Sequence, residues 1–349
     1  METTHRVRAA DARDLAGLAA DSVDLVVTSP PYPMVEMWDD LFVDLDGAVG
    51  AHLEAGRGDQ AFAAMHAVLD TVWDECRRVL RPGGIACVNV GDATRTLDGF
   101  RVYPNHARVT DAFAARGFDP LPDVLWHKPA NSAAKFMGSG MVPPNAYVTL
   151  EHEYILVFRN GDRRSFEPGA DRRYEAAYFW EERNRWFTDV WTDVRGRLQS
   201  LPGDDLRDRA GAFPFEVPYR LINMYSVYGD TVLDPFWGTG TTTLAAMVAG
   251  RDSVGYERER AFLDRFADRV GEIPSLGREV LSERLAAHQN FVADRRADGD
   301  PPAYEADHYD FPVVTRQEQG IRLYVPRSVA ADGDTYRVAH DPLEGTEVV

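Results

Sequence analysis

Two short stretches of this sequence combine residue types that could do chemistry. The first is Thr28-Ser29-Pro30-Pro31-Tyr32. Adjacent prolines fix the backbone and donate no hydrogen bonds, so the Ser29 hydroxyl and the Pro30 carbonyl can face one point as acceptors. That pair suits an amino group on a substrate, and the Tyr32 ring beside it suits stacking on a base. Alone, such a proline pair is usually a turn ending a strand; the second stretch changes the weighting. TVLDPFWGTGTTTLAAMVAG (231–250) reads as strand, glycine loop and helix. Asp234 ends the strand, Gly238 and Gly240 let backbone approach a ligand, and Thr241, Thr242 and Thr243 open the helix. No lysine follows the second glycine, which argues against a triphosphate. Thr243 stands where a dinucleotide fingerprint needs its third glycine. What remains is a small ligand at the carboxyl end of a parallel strand. The next strand ends in Glu257, an acid placed to accept hydrogen bonds from ribose hydroxyls. Strand, loop, helix and acid in register favour a nucleoside cofactor over a plain glycine turn.

These stretches need elements to hold them. Residues 23–28 (VDLVVT) are an apolar, β-branched run, predicted as a buried parallel strand leading into the proline loop. A helix is predicted over 61–79, stopped by Arg81-Pro82-Gly83-Gly84. Strand 85–90, helix 105–116 and strands near 121–126 and 153–158 follow. After a polar, arginine- and aromatic-rich segment (159–212), regularity returns with helix 217–226, strand 231–234, helix 241–249 and strand 252–257. Strands alternating with helices predict a parallel α/β sheet. Beyond about 270 lies an acidic tail with an amphipathic helix (278–292) and short strands near 312 and 322. No internal repeat is visible.

The chain has 349 residues, 44% hydrophobic and 27% charged, a globular balance rather than a disordered one. No stretch approaches the roughly 20 apolar residues a membrane span needs, and the first residues carry no apolar signal core, so a soluble, cytoplasmic protein is expected. Cys76 and Cys87 are too few for a disulfide scaffold or a four-cysteine zinc site, and the nine histidines show no metal-ligand spacing. Both thiols, one on a helix and one in a strand, are expected to be buried and structural. The net charge of −18 argues at first against a polyanionic partner. Only Lys128 and Lys135 are lysines among 38 basic residues, however, and such a lysine-poor, acidic composition suggests a halophilic proteome, in which the acidity answers to the solvent. Residues 159–209 hold eleven arginines and eleven acids, so this stretch is neutral inside an acidic chain. Within it, 172–191 carries seven aromatics and four arginines (Arg172, Arg173, Arg183, Arg185). Nucleic-acid contact through those arginines and a small subdomain core with paired arginines weigh about evenly. His127 and Lys128, between a strand and a proline, suit a substrate-facing loop or a structural role equally. The tail, eight arginines against fifteen acids over 270–349, is a poor candidate for phosphate contact.

The motifs together resemble a family. DPFWGTGTT is similar to the S-adenosylmethionine motif DPFxGSGTT of DNA amino-methyltransferases, and TSPPY resembles their catalytic motif (D/N/S)PPY. The catalytic motif comes first here, the permuted order of the β group. Asp11 in VRAADARDL, then RPGGIACVNVGD, VLWHKP, EHEYILVFRN, DVWT and AFPFEVPYRLI match further parts of the pattern, and the resemblance covers roughly residues 5–265. Thr239 replaces the usual serine and keeps the hydroxyl. Ser29 in SPPY points within the family to N4-cytosine, and PYPMVEMWDD resembles archaeal enzymes that modify CTAG sites.

The resemblance implies a class I, Rossmann-like α/β sheet, circularly permuted. Residues 1–269 would form the catalytic domain, 160–212 an inserted target-recognition region, and 270–349 an accessory extension for dimer contact or packing over the sheet. It implies S-adenosyl-L-methionine as cofactor, held by Asp11, Phe213, Asp234, Pro235, Phe236, Gly238, Thr239, Gly240, Thr241, Thr242 and Glu257. Ser29, Pro30, Pro31 and Tyr32 would be catalytic, and no metal is expected. The partner implied is double-stranded DNA, contacted by Arg172, Arg173, Arg183 and Arg185, with a homodimer and a cognate restriction endonuclease as further partners. Ser29 Oγ and the Pro30 carbonyl would localise the lone pair of an exocyclic amino group on a base flipped out of the duplex and stacked on Tyr32. N6-adenine is the alternative target, and a base of structured RNA the third. Protein-glutamine and free-base methyltransferases carry a similar NPPY but place the cofactor motif first. A nucleotide-binding regulator that has lost catalysis is the rival of another class.

Overall fold

In the computed structural model, which describes residues 1–128, 137–194 and 213–343, a central eleven-stranded sheet organises the chain. The elements in order are β1 (Glu2–Ala9), β2 (Val23–Thr28), α1 (Asp39–Leu45), α2 (Gly47–Glu54), α3 (Gly58–Val79), β3 (Leu80–Val90), β4 (Ala93–Leu97), β5 (Gly99–Tyr103), α4 (Asn105–Ala115), β6 (Phe118–Pro120), β7 (Val124–His127) and β8 (His152–Asn160). There follow α5 (Asp171–Glu175), α6 (Trp180–Trp186), β9 (Val190–Trp191), α7 (Glu216–Tyr225), β10 (Thr231–Asp234), α8 (Thr241–Ala249), β11 (Asp252–Glu257), α9 (Arg260–Arg269), α10 (Ile273–Ala297), β12 (Tyr304–Glu305), β13 (Pro312–Val313), β14 (Tyr324–Asp332) and β15 (Thr335–Pro342).

The sheet order is β14-β15-β1-β11-β10-β2-β3-β8-β7-β9, with β6 also on β8. Strands β1, β11, β10, β2 and β3 run parallel, and β8 is antiparallel to β3. The carboxyl ends of the five parallel strands therefore share one edge, which brings residues near 10, 29, 91, 234 and 257 together from distant parts of the chain.

Strand β2 is buried on both faces, and its alternation feeds two cores. Val26 packs with α3 and α4, whose buried faces include Trp73, Cys76 and Phe113. Leu25 and Val27 pack with α7 and α8 through Val217, Ile222 and Ala245. Both cysteines are free and buried, and burial pushes each thiol far above its ordinary value. No helix among the described residues is long and apolar enough to cross a membrane.

Strand β1 escapes the sequence reading because its inward positions are Thr3, His5 and Val7. His5 is buried between the Thr3 and Ser253 hydroxyls, at 2.8 and 2.9 Å, and burial followed by the neighbouring His340 lowers its pKa to about 3. The tail is more regular than expected. Strand β15 pairs antiparallel with β1, so residues 335–342 continue the sheet that holds the site. Helix α10 runs over Ile273–Ala297, longer at both ends than predicted. Within the polar segment 159–212, for which the sequence predicts little regularity, the described part contains α5, α6 and β9. Residues 195–212 of the expected recognition region lie outside the described residues.

Candidate active site

Strand β2 delivers Ser29, Pro30, Pro31 and Tyr32 to the shared edge, where all four line a cavity of about 510 Å³. The turn beyond them is held in an uncommon conformation. Met34 has φ +68°, a region non-glycine residues rarely occupy, and its side chain is buried. Asn105, at the start of α4, donates to the carbonyls of Pro33 and Gly91, each at 3.0 Å, and its side-chain oxygen lies 3.0 Å from His66 Nε2. Such strain persists where the surroundings over-determine it, commonly at functional sites.

The Tyr32 hydroxyl is the hub of a polar network. It lies 3.0 Å from Ser29 Oγ, donates to Glu153 Oε2 at 3.0 Å and accepts from Asn89 Nδ2 at 2.8 Å. Asn89 Nδ2 also donates to Glu153 Oε2 at 2.7 Å, and Lys128 Nζ donates to Glu153 Oε1 at 2.6 Å. Proton counting then fixes the directions. Glu153 can only accept, so Tyr32 gives it its single proton, and the phenol oxygen receives Asn89 and Ser29. The Ser29 hydroxyl thus points at Tyr32 and leaves its lone pairs for a donor in the cavity. Burial, reinforced by the Glu153 charge, holds the Tyr32 phenol well above its ordinary pKa, so it stays protonated. Tyr32 also packs its ring edge against Gly91, where an added Cβ would lie 3.2 Å from Cε2. Sequence reasoning missed Glu153, Asn89 and Asn105. A lone asparagine in the apolar run IACVNV and an acid opening the buried strand EYILVF were the available signals.

The glycine loop supplies the other wall. Pro235, Phe236, Gly238 and Glu257 line the cavity with Asp11. Gly238 N donates to Glu257 Oε2 and Glu259 N to Oε1, each at 2.9 Å. Two carboxylate oxygens offer about four acceptor sites, so Glu257 keeps capacity for hydroxyl donors. Burial raises Asp11, but Arg13 through hydrogen bonds and charge, then Arg258, bring it below the ordinary carboxylate value.

Other expected cofactor residues do not line the cavity. Asp234 is buried beneath it and accepts from Thr28 Oγ1 at 2.7 Å, Thr242 Oγ1 at 2.6 Å and Phe236 N at 3.1 Å. It ties the end of β2 to the start of α8, joining the two motifs. Thr239 and Thr241 are buried with their hydroxyls 3.3 Å apart. Gly240 has φ +80°, and a Cβ there would lie 2.5 Å from Phe266 and 2.6 Å from Trp237, so its lack of a side chain serves packing. Phe213 belongs to the core under α7.

The four arginines are not gathered at this cavity. Arg173 and Arg183 line a second cavity, of about 560 Å³, with Gly83 and Ser226. Gly83 and Ser226 precede the body of β3 and β10, so this cavity lies at the amino edge of the sheet, and the six residues of β2 span roughly 17 Å between the edges. An added Cβ on Gly229, before β10, would lie 3.6 Å from Arg172 Nη1, which places Arg172 at the same edge. Arg185 is ion-paired to Asp193 and reaches Glu216 at 4.0 Å. Among the described residues no cluster of three His, Cys, Asp or Glu could hold a metal ion.

Known proteins bear on this arrangement. The DNA methylase family model N6_N4_Mtase matches residues 23–268. The chain is 50% identical over 332 residues to the Type II methyltransferase M.MthZI of Methanothermobacter thermautotrophicus, covering 94% of this chain and 92% of that one. It is 46% identical over 281 residues to the Type II methyltransferase M.MjaI of Methanocaldococcus jannaschii, covering 77% and 92%. Among solved structures, the protein TTHA0409 of Thermus thermophilus, complexed with S-adenosyl-L-methionine, shares 33% identity with a TM-score of 0.58 over 76% of this chain and 94% of that one. The PvuII DNA methyltransferase (cytosine-N4-specific) shares the fold at 18% identity, with a TM-score of 0.52 over 77% and 86%. The Ser29–Tyr32 loop and the glycine loop thus meet in a fold shared with these proteins, and by its match over residues 23–268 the chain belongs to the N6_N4_Mtase family of DNA methylases.

Proposed function

We propose that this DNA methyltransferase modifies the exocyclic N4 of cytosine in a short duplex site, CTAG in the strongest form of the reading, with Ser29, Pro30, Pro31 and Tyr32 as its catalytic loop. The cofactor is S-adenosyl-L-methionine, and the cavity residues fit it. A volume of about 510 Å³ is ligand-sized, Glu257 retains acceptor capacity for a ribose diol, and Gly238 presents bare backbone. Bound there, it supplies an electrophilic methyl group.

The observation that carries the reading is the directed network at Ser29. An exocyclic amino nitrogen is a weak nucleophile because its lone pair is delocalised into the ring. Hydrogen bonds from that amino group to Ser29 Oγ and the Pro30 carbonyl would hold it in place and restore density to nitrogen. As the new N–C bond forms, the methyl group's bond to the sulfonium sulfur would break with its electron pair left on sulfur, and the amino group must lose a proton. Ser29, Tyr32 and Glu153 form a file in which the proton can pass from nitrogen to Ser29 Oγ, from Ser29 to Tyr32 and from Tyr32 to the Glu153 carboxylate. No covalent enzyme intermediate is needed, in keeping with the burial of Cys76 and Cys87. A short serine hydroxyl in place of a carboxylate or amide favours cytosine. The order of the loops along the chain, Ser29 before Gly238, is what a permuted β-group enzyme would have. Modification-sensitive sequencing of DNA from cells expressing the chain, beside a Ser29→Ala, Tyr32→Ala control, gives base, atom and site together. N4-methylcytosine absent from the control supports the reading, and N6-methyladenine alone would overturn the base assignment.

A further inference from the structure

Substrate must approach the carboxyl edge of the sheet, yet Arg172 and Arg173 sit at the other edge. Two segments do border the catalytic side. Two residues separate the end of β3 from the β4–β5 hairpin, and Arg95 Nη1 donates to Asp39 Oδ1 at 2.7 Å, binding the hairpin to α1 beside the cavity-lining Trp38 and Asp40. The segment 137–148 lies between the end of β7 and the start of β8, at that same edge because Tyr154 of β8 pairs with Val90 of β3. The loop is braced from within. Ser139 N donates to Asn145 O at 2.8 Å, and Gly138 has φ +68° with room for no side chain, since a Cβ would lie 2.2 Å from Asn145 O.

Both segments expose apolar side chains. Met141 is 88% exposed, Val148 84% and Val142 65%, with Val102 on the hairpin also exposed. Phe100 of the hairpin and Tyr147 of the loop stack on each other, centroids 4.6 Å apart and planes 4° from parallel, while both remain exposed. Large apolar side chains left exposed on two neighbouring segments, joined by an exposed aromatic stack, mark a contact surface. The partner reaching this edge is the DNA itself, and a target base turned out toward Ser29 leaves a gap in its stack and an orphaned partner base. Apolar side chains fill such gaps, and an aromatic ring accepts any base because each has a π face.

We propose that the stacked Phe100–Tyr147 pair, with Met141 and Val142, is a wedge that enters the duplex at the target and occupies the space left by the flipped base. This rests on the duplex-DNA reading above. The test uses a Phe100→Ser/Tyr147→Ser double variant and two duplexes carrying the site located by sequencing. One is fully paired; the other has an abasic position opposite the target, where no base pair must be broken. On the paired duplex kcat/KM should fall at least tenfold. On the abasic-opposed duplex it should stay within threefold of the parent, with cofactor affinity by calorimetry unchanged. A Met141→Ser/Val142→Ser variant, altered only at exposed positions, should show the same split more mildly. Equal losses on both duplexes, or no loss on the paired one, would overturn the wedge. A tenfold loss on both duplexes with Arg172→Ala/Arg173→Ala, beside an intact wedge variant, would move DNA contact to the opposite edge and overturn the wedge. A parent enzyme that marks no duplex would refute the duplex reading, and the wedge with it.

Discussion

Replacing Tyr32 by Phe removes one oxygen and tests the proton file at its centre. That oxygen carries three hydrogen bonds, to Ser29, Glu153 and Asn89. The Asn89–Glu153 bond at 2.7 Å and the Lys128–Glu153 bond at 2.6 Å survive, so the carboxylate stays paired and folding stability should fall by only about 1 kcal/mol. Ser29 loses its partner within the network, so its hydroxyl rotates freely and the route for the departing proton is cut. Proton transfer by a positioned group contributes about 10²–10⁴-fold, so the single-turnover methylation rate should drop at least a hundredfold, ~3 kcal/mol in barrier. The assay is single turnover with saturating DNA and S-adenosyl-L-methionine, paired with calorimetry of the cofactor. Cofactor affinity should remain within threefold of the parent, since the hydroxyl faces Ser29 and Glu153 rather than the glycine loop. A phenylalanine variant within threefold of the parental rate would refute the reasoning, as would a loss explained entirely by weaker cofactor binding.

Other consequences can be checked on the purified protein. Gly240→Ala should cost about 3 kcal/mol in chemical denaturation, from the left-handed backbone and the collision with Phe266 and Trp237; parental stability would show that the loop relaxes freely. Burial raises Asp234 to about 6 despite its three hydrogen-bond donors. A folded-state pKa above the unfolded one stabilises at low pH, and the contribution is lost as pH rises through about 6. The stability of the parent relative to Asp234→Asn should therefore decline by up to about 3 kcal/mol between about pH 4 and pH 7 in urea titrations, and a constant difference would contradict this. Deleting 270–349 uncovers β1 and strips Tyr336 and Val338 from the cluster around Val7 and Phe266, so gel filtration should show aggregation; a soluble monomer with a cooperative melt would contradict the shared sheet.

The parts of the fold legible in sequence were those where local pattern and burial agree. β2, β10, β11 and α8 are apolar runs closed by glycine, proline or an acid, and they lie at or within a residue or two of their expected bounds. Strand β1 was hidden because Thr3 and His5 satisfy their polar groups inside the sheet, so inward positions do not look apolar. β15 was hidden because its register is set by β1, more than 300 residues away in the chain. At the site, loops announced by glycine and proline were readable. Glu153 and Asn89 were not, because their meaning comes from an antiparallel pairing between β3 and β8 that no local pattern encodes. The aromatic, arginine-rich stretch at 172–191 illustrates the converse, since composition alone cannot tell which edge of a sheet a segment will occupy.

The central claim is a chemical identity, and nucleoside mass spectrometry tests it most directly. Purified protein is incubated with S-adenosyl-L-methionine and unmodified duplex DNA containing CTAG, and the DNA is digested to nucleosides. N4-methyldeoxycytidine should accumulate with the parent and be absent with Ser29→Ala, whose cofactor affinity is verified separately. N6-methyldeoxyadenosine in its place, or N4-methyldeoxycytidine formed undiminished by Ser29→Ala, would contradict the account.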